Sequence, residues 1–81
     1  MAKAQHSAAY RVVPRLLREL RESAGLTQRQ LGALLRKPQS WVYNCESTNR
    51  RVDVTELIAW SRACKAEPRD VFRRVLERLG S

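Results

Sequence analysis

Histidine, cysteine, glycine and acidic residues are all scarce in this 81-residue chain, and each scarcity removes a class of chemistry. The one histidine, His6, lies in the polar opening segment, away from any centre where a general base or metal ligand is needed. The two cysteines, Cys45 and Cys64, have no CxxC spacing and no neighbouring histidine, so they do not spell a zinc site. Both fall on apolar faces of predicted helices and read as small core residues. Without a secretory signal, they fit a reducing cytoplasm. Three glycines do not make a phosphate-cradling loop. Eight acids against 16 basic residues show no clustering at ligand spacing, so no metal or other cofactor is expected. Ser47 and Thr48 have no activating partner. A nucleophile, base and oxyanion site cannot be assembled, and the chain does not read as an enzyme.

Long apolar runs are also missing. None is long enough to span a bilayer, and none near the N-terminus has the length of a signal peptide. No stretch alternates with period two, which excludes a sheet and leaves an all-α fold.

What the chain does hold is positive charge. The formal charge is +8, and 13 of the 16 basic residues are arginine. Residues 1–26 carry a net +3 and residues 27–51 a net +4, whereas residues 52–81 carry only +1. An excess of this kind points to a polyanion, either nucleic acid or an anionic membrane surface, with nucleic acid favoured. The length allows a single domain, and 43% hydrophobic residues suffice to fold it. So small a chain buries only about 60% of its unfolded surface, which leaves little to line a deep pocket.

Residues 1–9 read as a mobile tail. A helical pattern starts near Tyr10, with Pro14 tolerated only in the first turn and Leu16, Leu17, Leu20 and Ala24 on one face. Gly25 ends it. Thr27 caps a second helix, whose apolar side is Leu31, Leu34 and Leu35. Arg36-Lys37-Pro38 breaks the pattern, and Pro38 suits the first position of a third helix, from Gln39 to about Ser47. After the polar loop Thr48-Asn49-Arg50-Arg51, Asp53 and Glu56 spell a capping box. The fourth helix carries Leu57, Ile58, Trp60 and Cys64. Glu67-Pro68 opens a fifth, with Val71, Phe72, Val75, Leu76 and Leu79 on its apolar face and Gly80 at its end.

The third helix is the informative one. At about 100° per residue, Gln39, Ser40, Tyr43 and Asn44 share one face, and Trp41, Val42 and Cys45 share the other. Glu46 lies on the border. Any solvated helix face is polar, but an ordinary one mixes in Lys and Glu, and this one has neither. Amide side chains can pair bidentately with adenine in the major groove, and a hydroxyl reaches several base edges. Nearby arginines and the helix N-terminus can hold phosphates.

Residues 26–46, LTQRQLGALLRKPQSWVYNCE, resemble the helix-turn-helix of the phage repressor and Cro family, the XRE-like regulators. The resemblance is carried by Leu26-Thr27-Gln28, Leu31, Gln39-Ser40, Val42 and Glu46. It extends to Leu20-Arg21 upstream and to Arg51, Asp53, Leu57, Ala63 and Pro68 downstream, across roughly residues 14–79. It implies a compact five-helix, lambda-repressor-like domain over residues 10–81. It also implies a sequence-specific double-stranded DNA-binding transcriptional regulator, a repressor, acting as a homodimer on an inverted repeat. The helix at 39–47 would enter the major groove, with Gln39 on a base, typically adenine, Ser40 and Asn44 towards the other bases, and Tyr43 on a base or a phosphate. Gln28 would contact a phosphate and brace Gln39, while Thr27, Arg29, Lys37, Arg50 and Arg51 would lie along the backbone. Glu46 would pair with Arg21 as scaffold. Trp41 is read as a packing residue at the groove edge.

The chain departs from the family where Arg36-Lys37-Pro38 stands in a turn that often holds glycine. Cys45 replaces a larger aliphatic residue, and Cys64 and Ala66 replace leucines. Two other readings remain open. One is an antitoxin-like protein-interaction module docking through the helix-five stripe of Val71, Phe72, Val75 and Leu79, which could equally be packing. The other is non-specific nucleic-acid or RNA binding through the arginines. Base specificity separates the second from operator recognition, and salt dependence does not.

Overall fold

The computed structural model describes residues 7–80, and His6 with the rest of residues 1–6, and Ser81, lie outside them. The described chain forms α1 (Val12–Ser23), α2 (Gln28–Leu35), α3 (Gln39–Glu46), α4 (Val54–Ala63) and α5 (Pro68–Arg78), with no strand among the described residues. Helix α3 packs on α2 and α1, and α4 and α5 close the other side.

Ser7–Tyr10 make a turn that leads into α1. The Tyr10 N–H donates to Ser7 Oγ at 3.1 Å, and the Arg11 N–H donates to Ser7 O at 3.2 Å. Tyr10 points inward, and its hydroxyl accepts from the Val52 N–H at 2.8 Å, which ties the start of the domain to the loop before α4. Pro14 sits in the first turn of α1, where a missing N–H costs nothing.

Three of the five helices, α1, α2 and α4, stop by a shared device. At the end of α1 the Leu26 N–H donates to Arg21 O and the Gly25 N–H to Glu22 O, with Gly25 at φ 73°. This is a Schellman motif, in which a left-handed residue turns the chain back to satisfy the last carbonyls. The end of α2 repeats it with Arg36 at φ 59°, through Lys37 N–H to Gly32 O and Arg36 N–H to Ala33 O. The end of α4 repeats it with Lys65 at φ 59°, through Ala66 N–H to Ser61 O and Lys65 N–H to Arg62 O.

Helix starts follow the caps. Thr27 and Gln30 exchange side-chain to backbone bonds of 3.0 and 2.9 Å, a full capping box. Asp53 and Glu56 do the same at 2.8 and 3.0 Å. Glu67 caps α5, and Pro68 is its first residue. Pro38, expected inside α3, is instead its flanking residue, with an extended ψ of 159°. The chain leaving the left-handed Arg36 is still extended there, and helical dihedrals begin only at Gln39.

The core gathers Leu16, Leu17, Leu20, Leu31, Val42, Cys45, Leu57, Cys64 and Val71 around Trp60, which is wholly buried. Trp60 Nε1 donates to Leu17 O at 3.0 Å, so its one polar atom is satisfied. Several expected core positions lie elsewhere. Ala24 is exposed because α1 ends at Ser23, and half-buried Leu26 takes that place once the chain has turned. Leu34 is 58% exposed, since Leu31 and Leu35 already span the face of α2 that meets the core. On α5, Val71, Phe72 and Val75 pack inward, while Leu76 and Leu79 are 54% and 44% exposed.

Candidate nucleic-acid interface

The turn between α2 and α3 sets the geometry, and it depends on Gly32. A Cβ there would stand 2.6 Å from Lys37 O, so only glycine lets the turn close this tightly. The two helices are thereby held side by side, and the outer face of α3 is left open. Gln39, Ser40 and Tyr43 are exposed on it and Asn44 is half-buried, while Val42 and Cys45 are buried beneath.

A chain of polar contacts runs from α1 to this face. Arg21 grips Glu46 with both arms, Nε to Oε2 at 2.7 Å and Nη2 to Oε1 at 3.1 Å, and its Nη1 donates to Leu26 O at 2.9 Å. The pair is almost hidden, with side chains 11% and 5% exposed. The bond to Glu46 raises the Arg21 pKa above its ordinary value, so the guanidinium is always charged. Glu46 Oε1 also accepts from Gln28 Nε2 at 3.0 Å. Gln28 Oε1 in turn accepts from Gln39 Nε2 at 2.7 Å.

The opposite face of α3 is held by aromatic and charged packing. Trp41 leans on Trp60 with ring centroids 6.2 Å apart, and Lys37 and Arg50 sit 5.2 and 5.0 Å from its centroid. Trp41 is therefore a packing residue. Arg50 also donates to both Glu56 oxygens, at 3.0 and 2.9 Å, which holds the Glu56 carboxyl below its usual range. That guanidinium is committed to the scaffold at the base of the loop. Arg51 lies over the Tyr10 ring at 4.5 Å. Asn44 Oδ1 accepts from Asn49 Nδ2 at 3.2 Å. Arg29 is exposed on α2, and the Thr27 hydroxyl oxygen is engaged as the helix cap.

Among the candidate residues Arg29, Lys37, Gln39, Ser40, Tyr43 and Arg51 are exposed, while Arg50 is 38% exposed and engaged with Glu56 and Trp41. One basic residue that the sequence reading left unassigned joins them. An open cleft of about 410 Å³ is lined by Arg18, Arg21, Gln28, Tyr43, Glu46 and Ser47. Arg18 lies one turn before Arg21 on α1, and that spacing is the signal that could have found it. Its Nε donates to Glu22 at 3.0 Å, and its side chain is 65% exposed.

Nucleophiles in the region are quiet. Burial pushes both the Cys45 and Cys64 thiols up to about 11, so both stay protonated near neutrality. The Ser47 and Thr48 hydroxyls donate to the backbone oxygens of Asn44 and Ser47. No group of three or more His, Cys, Asp or Glu among the described residues could hold a metal ion. No helix among them is long and apolar enough to cross a membrane.

Comparison with known proteins gives a consistent picture. A family profile described as a helix-turn-helix domain matches residues 15–79. The solved structure of an XRE-family like protein from Pseudomonas syringae pv. tomato str. DC3000 is 36% identical, with a TM-score of 0.83, covering 94% of this chain and 93% of that one. The clp gene regulator ClgR from Corynebacterium glutamicum shares the fold at 20% identity and a TM-score of 0.78, over 91% of this chain and 79% of that one. None of the curated proteins matches in sequence.

Proposed function

The chain belongs to the XRE-like family of helix-turn-helix domains, and from that premise we propose that it is a sequence-specific, double-stranded DNA-binding transcriptional repressor. The observation that carries this reading is the outer face of α3. Its exposed side chains are hydrogen-bonding and uncharged, and its first residue, Gln39, is held by Gln28.

Helix α3 enters the major groove with Gln39, Ser40, Tyr43 and Asn44 towards base edges. Gln28, Thr27, Arg29, Lys37 and Arg51 lie along the phosphates, where their contacts fix register without reading sequence. Arg50 supports the same loop from below through Glu56 and Trp41. Arg21 and Glu46 are scaffold.

One domain this small reads few bases. It works as a homodimer on an inverted repeat, with the two copies of α3 about 34–36 Å apart, one turn of DNA. The exposed Leu76 and Leu79 of α5 offer apolar surface for the second copy. Occlusion of a promoter is the simplest output, and it places the protein in the cytoplasm with its DNA.

Selection from a random duplex pool at near-physiological salt tests this. The wild-type protein is expected to enrich an inverted repeat. Gln39→Ala is expected to lose about 1–3 kcal/mol on that site and to relax one base position. Identical pools from both proteins would reject base reading through α3.

A further inference from the structure

The relay from Arg21 to Gln39 has a direction, and the direction is chemically forced. Arginine only donates, and the carboxylate it grips only accepts. Glu46 Oε1 therefore accepts from Gln28, so the NH₂ of Gln28 must face Glu46. That turns the carbonyl of Gln28 towards Gln39, and Gln39 must answer with its own NH₂. An amide is close to symmetric in shape but opposite in chemistry at its two ends. One charged pair, buried two side chains away, thus decides which way round the Gln39 amide stands.

We propose that Glu46 is a positioning residue that, through Gln28, fixes the polarity of Gln39 and so makes the site choose adenine over guanine at the base Gln39 meets. The inference rests on the reading that α3 lies in a major groove. With its NH₂ held by Gln28, Gln39 offers the groove its Oε1 and the one remaining N–H. Adenine presents a donor at N6 beside an acceptor at N7, which fits that pair. Guanine presents acceptors at both O6 and N7, so its O6 would oppose Oε1. A free glutamine could rotate to suit either purine, and a locked one cannot.

Glu46→Gln has a definite consequence. The new amide must set its own NH₂ against Arg21 at one of two places. The longer contact, at Oε1, is the less costly of the two. An NH₂ there donates to Gln28, reverses the relay and turns the Gln39 carbonyl inward. Only N–H donors then face the groove, which suits guanine. Gln28→Met cuts the relay while leaving the Arg21–Glu46 pair intact, so it serves even if Glu46→Gln fails to fold.

The experiment takes the duplex the wild-type protein selects and its adenine-to-guanine variant at the Gln39 position. Fluorescence anisotropy then gives the ratio of the two dissociation constants for each protein. The wild-type protein is expected to prefer adenine by roughly ten- to hundred-fold. Gln28→Met is expected to fall to within about threefold, and Glu46→Gln to shift towards guanine. A merely structural role would weaken both duplexes together and leave the ratio alone. A wild-type ratio retained in Gln28→Met, or in a folded Glu46→Gln, overturns the inference while leaving DNA reading in place. A wild-type protein that selects no site overturns both.

Discussion

Gly32 and Lys37 approach so closely that the Lys37 N–H donates to Gly32 O at 2.8 Å, and a Cβ on Gly32 would stand 2.6 Å from Lys37 O. This contact closes the turn between α2 and α3, and with it the angle at which α3 is presented. The opposing atom is backbone, so it cannot swing aside as a flexible side chain could.

Gly32→Ala is therefore expected to destabilise the domain by about 1–3 kcal/mol, the usual cost of overpacking, despite the better helix propensity of alanine. Urea unfolding followed by circular dichroism measures it. A stability equal to wild type would mean that the turn relaxes without loss.

Thr48 and Lys65 both hold left-handed backbone, at φ 68° and 59°. A β-branched residue is the more strained of the two there. Lys65→Gly is expected to stabilise by roughly 0.5–1 kcal/mol, the relief of strain being partly offset by the freer unfolded chain. Thr48→Gly is expected to gain more. Thermal melts should rank Thr48→Gly above Lys65→Gly above wild type.

Acid should weaken the fold through three carboxylates. Arg78 lowers Glu19, the Glu56 N–H lowers Asp53, and Arg50 lowers Glu56. Folded values below the unfolded ones mean that the stabilisation is complete above the ordinary 4.5 of glutamate and is lost as pH falls through the folded values. Unfolding midpoints in urea should hold steady from neutral pH to about 5 and then fall. Glu56→Gln should lower the neutral plateau and make the acid decline shallower.

Arg51 tests the division between phosphate and base contacts. Arg51→Ala is expected to weaken selected and random duplexes alike and to reduce the salt slope by about one unit. Loss confined to the selected duplex would assign Arg51 to base reading instead.

Arg36 holds a left-handed conformation that no local signal specifies. The missing turn glycine marks it as a departure, yet nothing local says that an arginine would accept φ 59° and complete the same motif. The glycine that the turn does need stands earlier, at Gly32, and becomes visible only when Lys37 folds back against it.

The five helices and most of their ends were legible in the chain alone, because caps and periodicity are local. Thr27, the Asp53–Glu56 box, Glu67-Pro68, Gly25 and Gly80 each act within a few residues of themselves. The side chains that share the outer face of α3 were legible there too, since helical geometry alone sets that. Which apolar residues are covered was decided by the tertiary structure. Leu34, Leu76 and Leu79 are as hydrophobic as Leu31 but stay about half exposed, while Tyr10 turns inward to a loop 42 residues away. The placing of Gln28 between Glu46 and Gln39 was decided there too. Periodicity fixes the direction of a side chain from its own axis, but only packing three helices together brings Arg21, Gln28, Glu46 and Gln39 within hydrogen-bond reach.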